Sequence, residues 1–102
     1  AATETALIGA NQPPSQPVVE ITPSSPNVGQ DLDCTILIAS VDPDGDHVTY
    51  FFEWVRDGKA LDWEGSEIFA ADTQSGEQWT CFVTPTDGMA LGESGEATVT
   101  IN

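Results

Sequence analysis

Three aspartates spaced two residues apart, Asp42, Asp44 and Asp46, are the side chains of this 102-residue sequence best suited to chemistry, and that chemistry is capture of a hard cation. They lie in Asp42-Pro43-Asp44-Gly45-Asp46, a turn whose proline and glycine bend the backbone tightly enough to aim several carboxylates at one point. Calcium takes about six to eight oxygen ligands of this kind. A solvated polar turn is the alternative for the same residues. A helix-loop-helix calcium site fails on geometry, because the glycine is fourth rather than sixth counting from Asp42. Residues 48–54 also alternate as a strand, which carries Glu53 about 23 Å from Asp46.

Other reactive groups are sparse. His47 is the only histidine and has no second base, serine elbow or paired-histidine helix to recruit it, so the chain reads as non-enzymatic. Trp63, in Leu61-Asp62-Trp63-Glu64-Gly65, offers a ring that can stack on a sugar; an edge tryptophan folded over the core is the alternative. Against 17 Asp and Glu stand only Arg56 and Lys59, for a formal charge of −15. Such a chain repels a phosphate backbone or an anionic membrane surface, which excludes nucleic acid as a partner. A divalent cation, a basic partner or a surface suited to high salt remains. Ala1 to Ala10 has neither a basic stretch nor a long apolar run, so it does not read as a signal peptide, and no segment approaches membrane-spanning length.

The elements that must hold these groups follow from period-two patterning. Residues 18–22, 32–39, 47–56, 59–63, 66–71, 78–84 and 96–101 read as strands, and none shows a sustained helical period. Pro23-Ser24-Ser25-Pro26-Asn27, Asp57-Gly58, Ser75-Gly76 and Asp87-Gly88 supply turn chemistry between them. Asn11 to Pro17 reads as a polyproline linker spanning about 22 Å. This divides the chain into an N-terminal extension over 1–10, a linker over 11–17 and a domain over 18–102. The two cysteines alternate with apolar neighbours in Leu32-x-Cys34-x-Ile36 and Trp79-x-Cys81-x-Val83, so both thiols point into one core. A Cys34–Cys81 disulfide follows, closing a separation of 47 residues. The chain-entropy account values such a crosslink at about 4 kcal/mol. Pairing also implies an oxidising compartment; two unpaired buried thiols are the alternative.

The order and spacing of Cys34, Trp54 and Cys81 match an immunoglobulin-like sandwich. Further motifs are Ile21-Thr22-Pro23-Ser24-Ser25-Pro26, the Asp42–Asp46 turn followed by Tyr50 and Trp54, Asp57-Gly58, and Trp79-Thr80-Cys81-x-Val83-Thr84-Pro85-x-Asp87-Gly88. On these residues the chain from about Pro17 to Asn102 resembles the immunoglobulin-like repeats of large secreted or surface bacterial proteins, related in plan to polycystic-kidney-disease and cadherin-like modules. Two departures stand out. Trp79 takes the place of the corner tyrosine of antibody-type domains, and the Trp-Asp-Phe-Gly-Asp-Gly signature of polycystic-kidney-disease domains is missing. The resemblance implies an all-β, seven-strand antiparallel sandwich with one inter-sheet disulfide, in an extracellular, non-catalytic module at the cell surface.

That topology adds Asp87 to the metal set, because the loops carrying Asp42–Asp46 and Asp87 emerge at one end of such a sandwich, where the first strand also begins. Oxygens from Asn11 or Gln12 are candidates to complete the shell. Parity places Phe51, Val55 and Phe82 on the outward face of one sheet when Trp54 and Cys81 face inward. Two outward phenylalanines on neighbouring strands make an apolar stripe that calls for a cover. Leu7 and Ile8 are the apolar residues outside the sandwich, so the expected partner is a copy of this chain or an adjacent similar module, joined head to tail into a fibre. A carbohydrate or host-surface ligand, bound through the Asp-rich loops and Trp63, is the competing expectation.

Overall fold

The alternating segments become seven strands in the computed structural model, which describes residues 12–102. They are β1 (Val18–Thr22), β2 (Leu32–Ile38), β3 (Thr49–Arg56), β4 (Lys59–Ala60), β5 (Glu67–Ile68), β6 (Gln78–Thr86) and β7 (Gly95–Thr100). A three-stranded antiparallel sheet in the order β1-β2-β5 faces a four-stranded one in the order β4-β3-β6-β7. Leu32 and Cys34 from the first sheet meet Trp54, Trp79, Cys81 and Val83 from the second, and all six are buried. The rings of Trp54 and Trp79 pack edge to face, with centroids 6.1 Å apart, a geometry that adds about 0.5–1.5 kcal/mol to their burial. The Cys34–Cys81 disulfide joins β2 to β6 across this core. The architecture is the immunoglobulin-like sandwich that the sequence predicts.

The β3–β4 hairpin shows local sequence dictating local structure. Asp57 and Gly58 both take positive φ, 50° and 85°, as a two-residue turn matched to strand twist requires. Pairing into β4 then ends early. Residues 59–63 read as a strand, yet only Lys59 and Ala60 pair with β3. Leu61 still donates its N–H to the Trp54 carbonyl at 2.9 Å. Past that point the chain leaves the sheet, and the Gly65 carbonyl accepts the buried indole N–H of Trp54 at 2.8 Å. Satisfying that indole takes precedence over extending β4. Residues 66–71 likewise give only the short β5, followed by a 3-10 turn over Ala70–Asp72 whose first N–H is held by Asp31 Oδ1 at 2.7 Å.

β6 runs on to Thr86 through Pro85, two residues past the sequence expectation. The proline is tolerated because β7 pairs only as far as Val83↔Gly95, so the missing N–H removes no ladder bond. The Pro85 carbonyl instead accepts the Gly92 N–H at 2.9 Å.

Residues 12–17 lie along the sandwich, with Pro14 and Pro17 buried. A Cβ on Gly92 would strike the Pro14 carbonyl and one on Gly95 the Pro17 carbonyl, so both glycines admit a close backbone approach. Ser15 and Val41 exchange two hydrogen bonds, from Ser15 N–H to the Val41 carbonyl at 2.9 Å and from Val41 N–H to Ser15 Oγ at 2.8 Å.

Candidate metal centre and neighbouring surfaces

The β2–β3 loop folds as its composition demands. Gly45 adopts φ 77° and donates its N–H to the Asp42 carbonyl at 3.0 Å, while Asp44 N–H donates to Asp42 Oδ1 at 2.7 Å. These bonds turn the chain back on itself and gather one oxygen from each of Asp42, Asp44 and Asp46 within 4.8 Å of one another. Asp42 Oδ2 is shielded from solvent and has no hydrogen-bond partner. A shielded, unpaired carboxylate oxygen is costly, and a cation is one partner that can relieve the cost.

Asp87 belongs to the same end of the molecule. Its Oδ1 accepts the N–H groups of Met89 and Ala90, both at 2.8 Å, which closes the β6–β7 turn. The carboxyl of Asp46 is held above the ordinary carboxylate range, first by loss of solvent in the crowded turn and then by the charges of Asp42, Asp87 and Asp44. Asp87 therefore acts on the cluster electrostatically. The chain arriving from the N-terminus meets it too, with Gln12 donating its backbone N–H to Asp44 Oδ2 at 2.8 Å. Gln12 thus reaches the cluster through its backbone N–H. Asn11 lies outside the described residues.

This arrangement fits a hard divalent cation. Oxygen donors dominate it, and no Lys or Arg competes for them, since Arg56 and Lys59 sit at the opposite end of β3. Carboxylates forced together are ready to exchange mutual repulsion for coordination.

Phe51, Val55 and Phe82 share the outer face of the four-stranded sheet, as parity requires. Glu53 stands opposite Phe82, which places that ring diagonal to Phe51 and Val55. Phe51 is 60% exposed, whereas Val55 and Phe82 are half-buried. Leu7 and Ile8 lie outside the described residues. Trp63 is 43% exposed and meets the half-exposed Phe69 edge to face at 6.4 Å, with its indole N–H held by the Glu67 carbonyl at 2.8 Å.

One feature escapes the sequence reading. A groove of about 540 Å³ runs beside β3, lined by Tyr50, Phe51, Phe52, Leu61, Trp63 and Leu91. Its signal in the sequence is weak: alternation lapses after Ala60, where Leu61-Asp62-Trp63 ceases to pair. Among the described residues no helix is long and apolar enough to cross a membrane. Compared with known proteins, the chain matches no family model, and no curated protein matches it in sequence.

Proposed function

We propose that this chain is a non-catalytic extracellular structural module that joins head to tail with copies of itself or with similar modules, stiffened at the junction by calcium. The observation that carries this reading is the bond between Gln12 N–H and Asp44, which brings the incoming chain onto the acidic cluster. A cation bound by Asp42, Asp44, Asp46 and Asp87 would fix the direction in which residues 12–17 leave the domain, and so the angle between successive modules. The disulfide supports an oxidising, extracellular setting. The apolar stripe of Phe51, Val55 and Phe82 supplies a contact surface for Leu7 and Ile8 of the next copy. Burial of those two side chains is worth about 1.5–3 kcal/mol each.

Sedimentation and thermal melting of the full chain, with calcium and with chelator, test the proposal. Calcium should raise the melting temperature by mass action and increase the assembled fraction, and Asp44→Ala should lose most of both effects. An equal response in wild type and variant would reduce calcium to general charge screening. A carbohydrate-binding reading has the exposed Trp63–Phe69 pair in its favour. Glycan binding abolished by Trp63→Ala, in a chain that stays monomeric with calcium, would favour it instead.

A further inference from the structure

Backbone groups of alternate residues in an antiparallel strand face opposite neighbours. In the β3 hairpin Asp57 donates its N–H to the Gln78 carbonyl at 2.9 Å. This sets Val55, Glu53 and Phe51 to bond with β6, opposite Thr80, Phe82 and Thr84. Residues of the other parity face away from β6: Arg56 pairs with Lys59, and the Trp54 carbonyl accepts from Leu61. There the pairing ends. Among the described residues nothing bonds to the outward backbone groups of Phe52 and Tyr50. The groove runs along this same stretch, between the bare edge and the loop carrying Leu61 and Trp63.

We infer that the open edge of β3 at Tyr50 and Phe52 accepts an added strand, and that the strand is the Ala6-Leu7-Ile8 segment of a second copy of this chain. The inference rests on the head-to-tail reading and sharpens it, moving the main contact from the sheet's face to its edge, with Phe51 flanking both. Strand addition draws affinity from main-chain bonds and specificity from pockets for alternate side chains. A groove lined by Tyr50, Phe52, Leu61 and Leu91 offers such pockets to apolar side chains.

Four observations select the occupant. Glu53, Asp62 and Glu64 rim the groove and repel an acidic strand. In a chain of net charge −15, the longest stretch without a charged side chain is Thr5 to Val19, and Ala6-Leu7-Ile8 is its apolar part outside the described residues. The edge from Tyr50 to Glu53 is about 13 Å long, room for a strand of about four residues. Finally, residues 12–17 run from Asp44 at one end of the sandwich inward to Gly95. Gln12 thus stands at that end of the sandwich, with eleven residues before it in the sequence to reach a neighbour.

The test compares the full chain with its full-length Leu7→Asp/Ile8→Asp variant, by sedimentation and by amide hydrogen exchange read by NMR. Wild type should assemble, and its Tyr50 and Phe52 amides should exchange at least tenfold more slowly than in the variant. The amides of Phe51 and Glu53, already bonded to β6, should not change. A synthetic peptide of residues 1–11 added to the variant should restore protection at Tyr50 and Phe52. Assembly without that protection overturns the edge inference and leaves head-to-tail joining intact. Protection in a wild type that stays monomeric at all concentrations means the chain's own segment occupies the edge, which overturns the second copy as occupant. Monomeric sedimentation of both proteins at all concentrations, with no protection in either, removes the assembly reading itself.

Discussion

The two ends of the sandwich use the same turn residues to opposite effect. At the hairpin end, Asp57 accepts the Gln78 N–H at 2.9 Å and donates its own N–H to the Gln78 carbonyl. Arg56 lies 3.8 Å from Glu77 and stacks over Trp79 at 5.7 Å. Both of the chain's cations are there. At the other end Asp42, Asp44 and Asp46 bring their oxygens together under the added charge of Asp87, and among the described residues one shielded oxygen of Asp42 has no hydrogen-bond partner. The first end is electrostatically complete. The second is stable as a fold but incomplete as a charge distribution, and that asymmetry gives the molecule two unlike ends.

The largest break in this comparison is expected at the complete end. Trp79 is fully buried against Trp54 and beneath Arg56. Trp79→Ala should cost about 3–5 kcal/mol in urea unfolding, more than any single change at the acidic end. A smaller loss would mean that the hairpin end is not organised around this ring. Next comes Gly92→Ala, whose Cβ would collide with the Pro14 carbonyl. A loss of about 1–2 kcal/mol is expected, together with a weaker calcium response, because residues 12–17 would no longer hold Gln12 on Asp44. An unchanged calcium midpoint would separate the segment from the cluster. Arg56→Gln removes a half-exposed ion pair and a cation-ring contact, and should cost no more than about 1 kcal/mol, independent of calcium.

The smallest effect is the most telling in sign. Asp46 has a raised pKa in the folded state, so between its unfolded and folded values the native protein binds more protons than the unfolded chain. Its contribution to stability then falls as pH rises through that window, and the full penalty is present above it. In chelator, the melting temperature should therefore rise as pH is lowered through the raised Asp46 value toward the ordinary carboxylate range. Asp46→Asn should be more stable than wild type without calcium, flatter with pH and indifferent to calcium. A variant less stable than wild type in chelator would show that the cluster is not self-repelling.

What the sequence disclosed was local. Alternation around Cys34, Trp54 and Cys81 announces inward positions because a strand's period is two, and Asp57-Gly58 announces its hairpin because few residues accept positive φ. The Asp42–Asp46 cluster was legible for the same reason, since one short turn builds it. Features set by distant residues were not. Composition describes the extension of the proline-rich run but not what it lies against, which depends on Gly92 and Gly95 far along the chain. The early end of β4 depends on the Trp54 indole finding the Gly65 carbonyl, a tertiary demand that strand propensity cannot register. Among the described residues, the edge of β3 goes unpaired at Tyr50 and Phe52, past the point where that hydrogen bond holds the chain away from the sheet.

The Cys34–Cys81 crosslink also sets how far the chain can be drawn out by its ends. Its 47-residue separation closes a covalent ring, so tension pulling on residue 12 and residue 102 passes through the sulfurs and leaves the ring's interior slack. At ~3.4 Å per residue, roughly 160 Å of contour stays locked away even after the sheets have separated. In an oxidising medium an overstretched module would lengthen only through its terminal strands β1 and β7, with their flanking segments and the β6 and β2 residues outside the ring. Reduction would release the remainder. Force spectroscopy with and without reductant would show two contour lengths differing by about that amount.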